Sequence, residues 1–145
     1  MKISRVTADD KSEWLPLWQA YLDFYRQDLS TAVTEQTFAR FLEKDEPMFL
    51  HVARREGRLV GFASFILHRS TWAKSYYCYL EDLYVDEAAR GRGVARALIG
   101  SVAQDALSWQ AERLYWVTQE GNAAARALYD KVAKKNDFVT YMRDL

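Results

Sequence analysis

The stretch Tyr79–Ile99, YLEDLYVDEAARGRGVARALI, predicts a strand, a glycine-rich loop and a helix in direct succession. Its first part is rich in tyrosine, leucine and valine, which favour a strand. After the loop, apolar residues recur at the three- and four-residue spacing of a helix. We therefore expect a strand over Tyr76–Val85 and a helix over Gly93–Leu107. A strand that follows such a unit joins the sheet in parallel, through a right-handed crossover.

The rest of the chain predicts further strands and helices in one mixed sheet. Strand-like runs bounded by turn residues are Lys2–Val6, Met48–Arg54, Gly57–Arg69, Arg113–Gln119 and Phe138–Leu145. Helical spacing is found in three segments. The first runs from Trp14 to Tyr25, with Thr7 or Asp9 as its cap, and the second is Thr34–Leu42. The third begins at a capping Asn122 and ends near Ala133. We expect an α/β (α+β) fold with a mixed, mostly antiparallel central sheet, helices on both faces, and one domain over residues 1–145.

Charge balance and cysteine content exclude several classes of protein. Twenty Lys and Arg residues balance twenty Asp and Glu residues, whereas proteins that bind nucleic acid through its phosphates are normally basic. Cys78 is the single cysteine, which favours a reducing compartment. No segment reaches the roughly 18 apolar residues of a membrane span, and the first residues lack the apolar core of a signal peptide. We expect a cytoplasmic protein with no nucleic-acid partner and no membrane partner.

The loop RGRGVA, Arg90–Ala95, has the features of an anion-binding site. Glycines let the backbone approach a ligand closely, and the first amides of the following helix have no partner within the helix. The helix dipole adds positive potential, as do Arg90, Arg92 and Arg96. The loop is therefore expected to bind a phosphate group.

Three phosphate-binding motifs compete for this loop. A Walker A loop requires Lys followed by Ser or Thr after its last glycine, but Val94 and Ala95 follow Gly93. A dinucleotide fingerprint requires a third glycine where Arg96 stands, and too few residues follow for its further parallel strands. The third motif, R-x-x-G-x-A, matches at Arg90, Gly93 and Ala95.

This third motif resembles the acetyl-coenzyme A (acetyl-CoA) signature of the GNAT N-acetyltransferase superfamily, Q/R-x-x-G-x-G/A. A second element of the family, N-x-x-A-x-x-x-Y, matches through Asn122, Ala125 and Tyr129. The resemblance extends over essentially the whole chain, but KKNDF, Lys134–Phe138, stands where the family usually has Gly-Phe after the last helix. The resemblance implies the GNAT acyltransferase fold and acetyl-CoA as the cosubstrate.

The resemblance also implies which residues hold acetyl-CoA. Backbone amides of the signature would bind the pyrophosphate, and the preceding strand would pair with the pantetheine arm like an added strand. Asn122 would contact the same arm from the start of its helix. The implied cofactor-binding residues are Leu83, Tyr84, Val85, Arg90, Gly91, Arg92, Gly93, Val94, Ala95 and Asn122.

Two adjacent carboxylates, Glu81 and Asp82, lie within the apolar strand. Neighbouring side chains of a regular strand point to opposite faces, so we expect these two on different faces. Burial raises the pKa of a carboxyl group towards neutrality, which suits a base that takes a proton from an ammonium group. The run LED also resembles the spermidine/spermine acetyltransferase branch, in which this glutamate is the base. We predict Glu81 as the base and Asp82 as the second candidate, with a structural ion pair as the alternative for each.

Tyr129 matches the tyrosine of the family that protonates the departing thiolate, and packing against the sheet is the alternative. Cys78 has no activating base in the sequence, so we expect it in the core. His51 and His68 lack metal-ligand spacing, and no metal site is expected.

Aromatic residues are concentrated in two parts of the chain: Trp18, Tyr21, Phe24, Tyr25, Trp72, Tyr76 and Tyr77. They could wall an acceptor site in which rings hold a cationic amine, or they could pack in the core and in a dimer. We expect an N-acetyltransferase that moves an acetyl group from acetyl-CoA directly to a primary amine of a small molecule or peptide. The alternative is a non-catalytic acyl-CoA binding or sensing module. A homodimer is expected, because the C-terminal strand could pair with a partner.

Overall fold

Five strands form one sheet in the computed structural model of the protein, which describes residues 1–145. In chain order they are β1 (Lys2–Arg5), β2 (Met48–Arg55), β3 (Arg58–Arg69), β4 (Tyr76–Val85) and β5 (Arg113–Tyr115). The sheet order is β1-β2-β3-β4-β5, and every pairing is antiparallel except that of β4 with β5, which is parallel. The predicted mixed, mostly antiparallel sheet is confirmed.

Helices cover both faces of the sheet, as predicted. They are α1 (Lys11–Phe24), α2 (Thr31–Leu42), α3 (Val94–Ser108) and α4 (Ala123–Val132). Fully buried Trp14 packs α1 and α2 on one face, and fully buried Leu98 packs α3 on the other. α2 begins before the predicted Thr34, because Ser30 Oγ accepts a hydrogen bond of 3.2 Å from the Val33 amide and caps the helix. None of the helices combines the length and the apolar character needed to cross a membrane.

A β-bulge at Glu81 determines where the two adjacent carboxylates point. Ser64 of β3 pairs with Asp82 of β4, but the next residue, Phe65, pairs with Leu80, so Glu81 has no partner. A bulge places two consecutive residues opposite one residue of the neighbouring strand and interrupts the alternation of faces. The prediction that Glu81 and Asp82 point to opposite faces is therefore wrong, and both line one cavity.

β4 and β5 separate after a short parallel pairing. Only Tyr77–Tyr79 of β4 pair with β5, which ends at Tyr115 and not at the predicted Gln119. The remainder of β4, up to Val85, therefore has a free edge on that side. Asn122 precedes α4 as predicted, but its Nδ2 donates to Thr118 Oγ1 at 3.2 Å and does not cap the helix.

The predicted final strand, Phe138–Leu145, is not formed. Residues 133–145 belong to no helix or strand, and Phe138, Tyr141 and Met142 are exposed. Strand-forming residues need a neighbouring strand for their hydrogen bonds, and this tail pairs with no strand of its own sheet. Strand propensity was therefore an insufficient basis for the prediction.

Candidate active site

The glycine-rich loop starts α3 with an open backbone. Gly91 and Gly93 have φ of +75° and +79°, in the left-handed region where other residues are strained. No atom lies within 4 Å of a Cβ built on either glycine, so the space beside the loop is open to a ligand. The first amides of α3 have no carbonyl partner in the helix and carry the positive end of its dipole. The loop therefore fits an anion such as pyrophosphate.

Two of the three arginines singled out in the sequence border the loop. Arg90 Nε donates a hydrogen bond of 3.0 Å to the carbonyl of Val85, which holds the guanidinium at the end of β4. Its Cζ lies 5.7 Å from the centroid of the Tyr84 ring, a cation–π contact. Arg90 and Arg96 line the adjoining cleft, whereas Arg92, which was predicted to bind the cofactor, does not.

The cleft beside the glycine-rich loop has a volume of about 460 Å³, and we name it the loop cleft. It joins the glycine-rich loop to the free edge of β4, and the predicted proton donor Tyr129 lines it. The predicted cofactor-binding residues in its lining are Leu83, Tyr84, Val85, Arg90, Gly91, Gly93, Val94, Ala95 and Asn122. Exposed amides at one end and an unpaired strand edge at the other suit a ligand with a phosphate group and an extended arm.

A second cavity, named here the acidic cavity, has a volume of about 420 Å³. The polar residues in its lining are Gln27, Thr37, Ser64, Glu81, Asp82 and Gln119. The aromatic residues in its lining are Trp18, Tyr21, Tyr25 and Phe41. Because Tyr21 and Tyr25 line the loop cleft as well, the two cavities meet at the C-terminal end of α1.

The two carboxylates of the acidic cavity differ in their partners. Asp82 is half-buried and accepts a hydrogen bond from Ser64 Oγ. Burial raises the pKa of Asp82, although hydrogen bonds from Ser64 and Tyr21 act in the opposite direction. Partial withdrawal from water also raises the pKa of Glu81, and the negative charge of Asp82 adds to this effect. Glu81 is the carboxylate without a hydrogen-bond donor, so its oxygens are free to accept a proton.

Tyr129 reaches the loop cleft from α4. Burial raises the pKa of its phenol to about 12, with a further contribution from Tyr25. Its ring meets the Trp116 ring edge-on, with 5.4 Å between the centroids. The phenol is therefore protonated at neutral pH, and the contact with Trp116 orients its ring.

The aromatic residues singled out in the sequence have several environments. Those that line one or both cavities are Trp18, Tyr21, Phe24 and Tyr25, and those that line neither are Trp72, Tyr76 and Tyr77. Ser64 and Gln119 also line the acidic cavity, and neither was predicted from the sequence. A small residue inside an apolar strand carries no signal until strand pairing brings it to Asp82.

The remaining reactive side chains lie outside both cavities. His51 is hydrogen-bonded to Ser101 at 2.9 Å and to Asp105 at 3.1 Å. Cys78 is fully buried, and burial raises the pKa of its thiol to about 12, which makes it a poor nucleophile. No three His, Cys, Asp or Glu side chains are grouped so that they could hold a metal ion.

The open helix start beside a free strand edge fits the class of acyltransferases that use coenzyme A thioesters. The model of the acetyltransferase (GNAT) family matches residues 14–133, and the chain belongs to this family. It is an acetyl-CoA-dependent acetyltransferase. The predicted family and fold are confirmed.

Two relatives and one solved structure illustrate the similarity. The D-amino-acid N-acetyltransferase HPA3 of Saccharomyces cerevisiae is 35% identical over 144 residues, covering 98% of this chain and 89% of the relative. The thialysine N-epsilon-acetyltransferase of Caenorhabditis elegans is 28% identical over 131 residues, covering 90% of this chain and 81% of the relative. The crystal structure of the ribosomal-protein-alanine N-acetyltransferase from Brucella melitensis biovar Abortus 2308 has a TM-score of 0.80 and 25% identity, covering 100% of both chains.

Proposed function

We propose that this enzyme transfers the acetyl group of acetyl-CoA directly to a primary amine of a small molecule or peptide. The observation that carries the proposal is the meeting of the loop cleft and the acidic cavity at Tyr21 and Tyr25. A thioester in one cavity and an amine in the other would be adjacent, so no acyl-enzyme is needed. Buried Cys78, with its raised pKa, is unsuited to carry an acyl group.

The loop cleft is the proposed acetyl-CoA site. Amides of Gly91–Ala95 and the Arg90 guanidinium would hold the pyrophosphate, and Arg92 would contribute through its backbone alone. The free edge at Leu83–Val85 would pair with the pantetheine arm, and Asn122 would contact that arm. Bound acetyl-CoA supplies an activated acetyl group and a sulfur leaving group.

Glu81 is the proposed general base. An amine arrives as ammonium, and Glu81 would accept one of its protons before the nitrogen forms a bond to the acetyl carbon. The pKa of Glu81 is raised, which brings it closer to the pH at which the enzyme works. Asp82 stays the second candidate, because its carboxylate is occupied by Ser64 and its charge acts on Glu81.

Tyr129 is the proposed general acid. As the carbon–sulfur bond breaks, its phenol would donate a proton to the departing sulfur, and the second proton that the nitrogen loses on becoming an amide would restore the phenol. In water a phenol with a pKa of about 12 is a weak acid towards a thiolate whose own pKa is about 8.5. The same buried cleft would disfavour the charged thiolate and raise the pKa of its conjugate thiol, which narrows the difference between the two groups.

Small amines are the first acceptors to test, since the relatives are named for D-amino acids and thialysine. The purified protein would be incubated with acetyl-CoA and a panel of D-amino acids, thialysine, diamines, aminoglycosides and short peptides. We expect release of free thiol together with a product that is heavier by one acetyl group. Binding of acetyl-CoA without turnover on any amine would favour the binding or sensing module instead.

We also propose a homodimer in which residues 133–145 pack on a partner subunit. The support is the exposure of Phe138, Tyr141 and Met142 in the tail, because large apolar groups are costly to leave in water. Light scattering at micromolar concentration should give the mass of a dimer for the full chain and of a monomer for a chain truncated after Ala133. A monomeric mass for the full chain would contradict the proposal.

A further inference from the structure

The acidic cavity contains negative charge that no lining residue balances. Among its 14 lining residues, Glu81 and Asp82 are the acids, and there is no Lys, Arg or His. Tyr21 and Tyr25 are protonated and neutral, because burial raises the pKa of both phenols. Gln27 and the other polar lining residues are uncharged amides and hydroxyls.

We infer that this cavity selects amines that carry no carboxylate beside the reacting nitrogen. The preferred acceptors are alkylamines, diamines and amino-acid amides. Free α-amino acids are disfavoured, in contrast to the D-amino acids for which one relative is named. The inference rests on the proposed function, in which the acceptor amine occupies the acidic cavity.

Electrostatic repulsion is the first reason. A free α-amino acid carries its carboxylate two bonds from the nitrogen that Glu81 has to reach, so that carboxylate must enter the cavity too. There it faces the charges of Glu81 and Asp82, and no lining side chain forms an ion pair with it. At a separation of about 6–8 Å and an effective dielectric constant of about 20–40, the repulsion from each ionised carboxylate weakens binding roughly 6- to 100-fold.

The aromatic wall is the second reason. The rings of Trp18 and Tyr21 stack with 5.6 Å between centroids, and the Tyr25 ring continues the row at 5.1 Å from Tyr21. These rings stand in the same cavity as the two carboxylates. The faces of aromatic rings attract cations. Trp18 is stacked on both Trp14 and Tyr21, whereas Tyr25 meets its aromatic neighbours edge-on, so Tyr25 is the ring of this wall that would attract a second ammonium group on the acceptor.

The test compares three acceptors that differ at one position: D-phenylalanine, D-phenylalaninamide and 2-phenylethylamine. The amide is less basic than the amino acid and the alkylamine is more basic, so a shared advantage of both cannot come from amine basicity. We expect kcat/KM for both carboxylate-free compounds to exceed that for D-phenylalanine by about tenfold or more. Equal values, or a preference for the acid, would overturn the inference and leave the proposed function standing.

Two variants at one position test whether charge is the cause. Gln27 lines the acidic cavity from an exposed loop position that tolerates a longer side chain. Gln27→Arg should reduce the preference for the amide over the acid several-fold, whereas the neutral Gln27→Met should keep the wild-type ratio. The same ratio in all three proteins, or equal changes in both variants, would refute the electrostatic cause. Binding of acetyl-CoA with no acetylation of any of the three compounds or of the wider amine panel would instead reject the proposed function, and the inference with it.

Discussion

Replacement of Glu81 by Gln is the sharpest test of the proposed chemistry. The amide has nearly the size of the carboxylate but cannot accept the proton of an ammonium group. Glu81 occupies a bulge without a strand partner, and no hydrogen bond within the chain depends on its carboxylate. The variant should therefore fold normally and bind acetyl-CoA with unchanged affinity, which thermal unfolding and calorimetry would check.

The size of the effect follows from the amine. An alkylamine with a pKa of about 10.4 is present as free base in about one molecule in a thousand at pH 7.4. An enzyme without its base has to use this fraction, so turnover should fall about 10³-fold, within the usual range of about 10²–10⁴ for general base catalysis. At pH 9.4 about one molecule in ten is free base, and the deficit should shrink to about tenfold.

The assay is a pH profile of kcat/KM, followed by release of free thiol. A base must be deprotonated to act, and the pKa of Glu81 lies above its ordinary value of 4.5. Wild-type activity should therefore fall as the pH drops through that raised pKa. Asp82→Asn should move this acidic limb to lower pH, because the charge of Asp82 is one cause of the raised pKa. If Glu81→Gln keeps the acidic limb, or loses the same factor at every pH, the assignment of Glu81 as the base is wrong. If Asp82→Asn alone removes the limb, the roles are reversed.

Three further predictions concern acetyl-CoA binding, thiolate departure and stability. Gly93→Asp should abolish acetyl-CoA binding in calorimetry, because it adds bulk and negative charge at the pyrophosphate position. Gly57→Asp is the matched control, since Gly57 also has a positive φ of 76° but lies in the β2–β3 turn. An equal loss of acetyl-CoA affinity in both variants would show that backbone strain alone is the cause. Tyr129→Phe should lower kcat without weakening acetyl-CoA binding, and its kcat should not recover at high pH. If its activity recovered at high pH in parallel with that of Glu81→Gln, the role of Tyr129 as the acid would be contradicted. Asp82→Asn should raise Tm at pH 8, by about 2–4 °C for each kcal/mol gained in the free energy of unfolding. The pKa of Asp82 is higher in the folded protein than its ordinary value of 3.8, so the wild-type fold loses stability as the pH rises from 3.8 through the raised pKa. The gain in Tm from Asp82→Asn should therefore vanish near about pH 4. A lower Tm of the variant at pH 8 would show that the ionised carboxylate stabilises the fold.

The sequence by itself determined the features that depend on contiguous residues. β4, the glycine-rich loop and α3 follow from strand propensity, from backbone dihedrals that favour glycine, and from helical spacing, all of which operate within a few residues. Eight of the cofactor-binding residues that the family resemblance implied lie in the loop cleft and adjoin one another along the chain around Arg90, so a short motif was enough to identify them. A second short motif identified the ninth, Asn122.

Only the tertiary structure decided the features that depend on residues far apart in the chain. The bulge at Glu81 arises from the register between β3 and β4. Strict alternation would place Glu81 and Asp82 on opposite faces, but the bulge brings both carboxylates to one cavity. Ser64 and Tyr21 reach Asp82 through strand pairing and helix packing, which no local pattern encodes. The tail after α4 shows the converse, because residues with strand propensity form no strand where no neighbouring edge supplies hydrogen bonds.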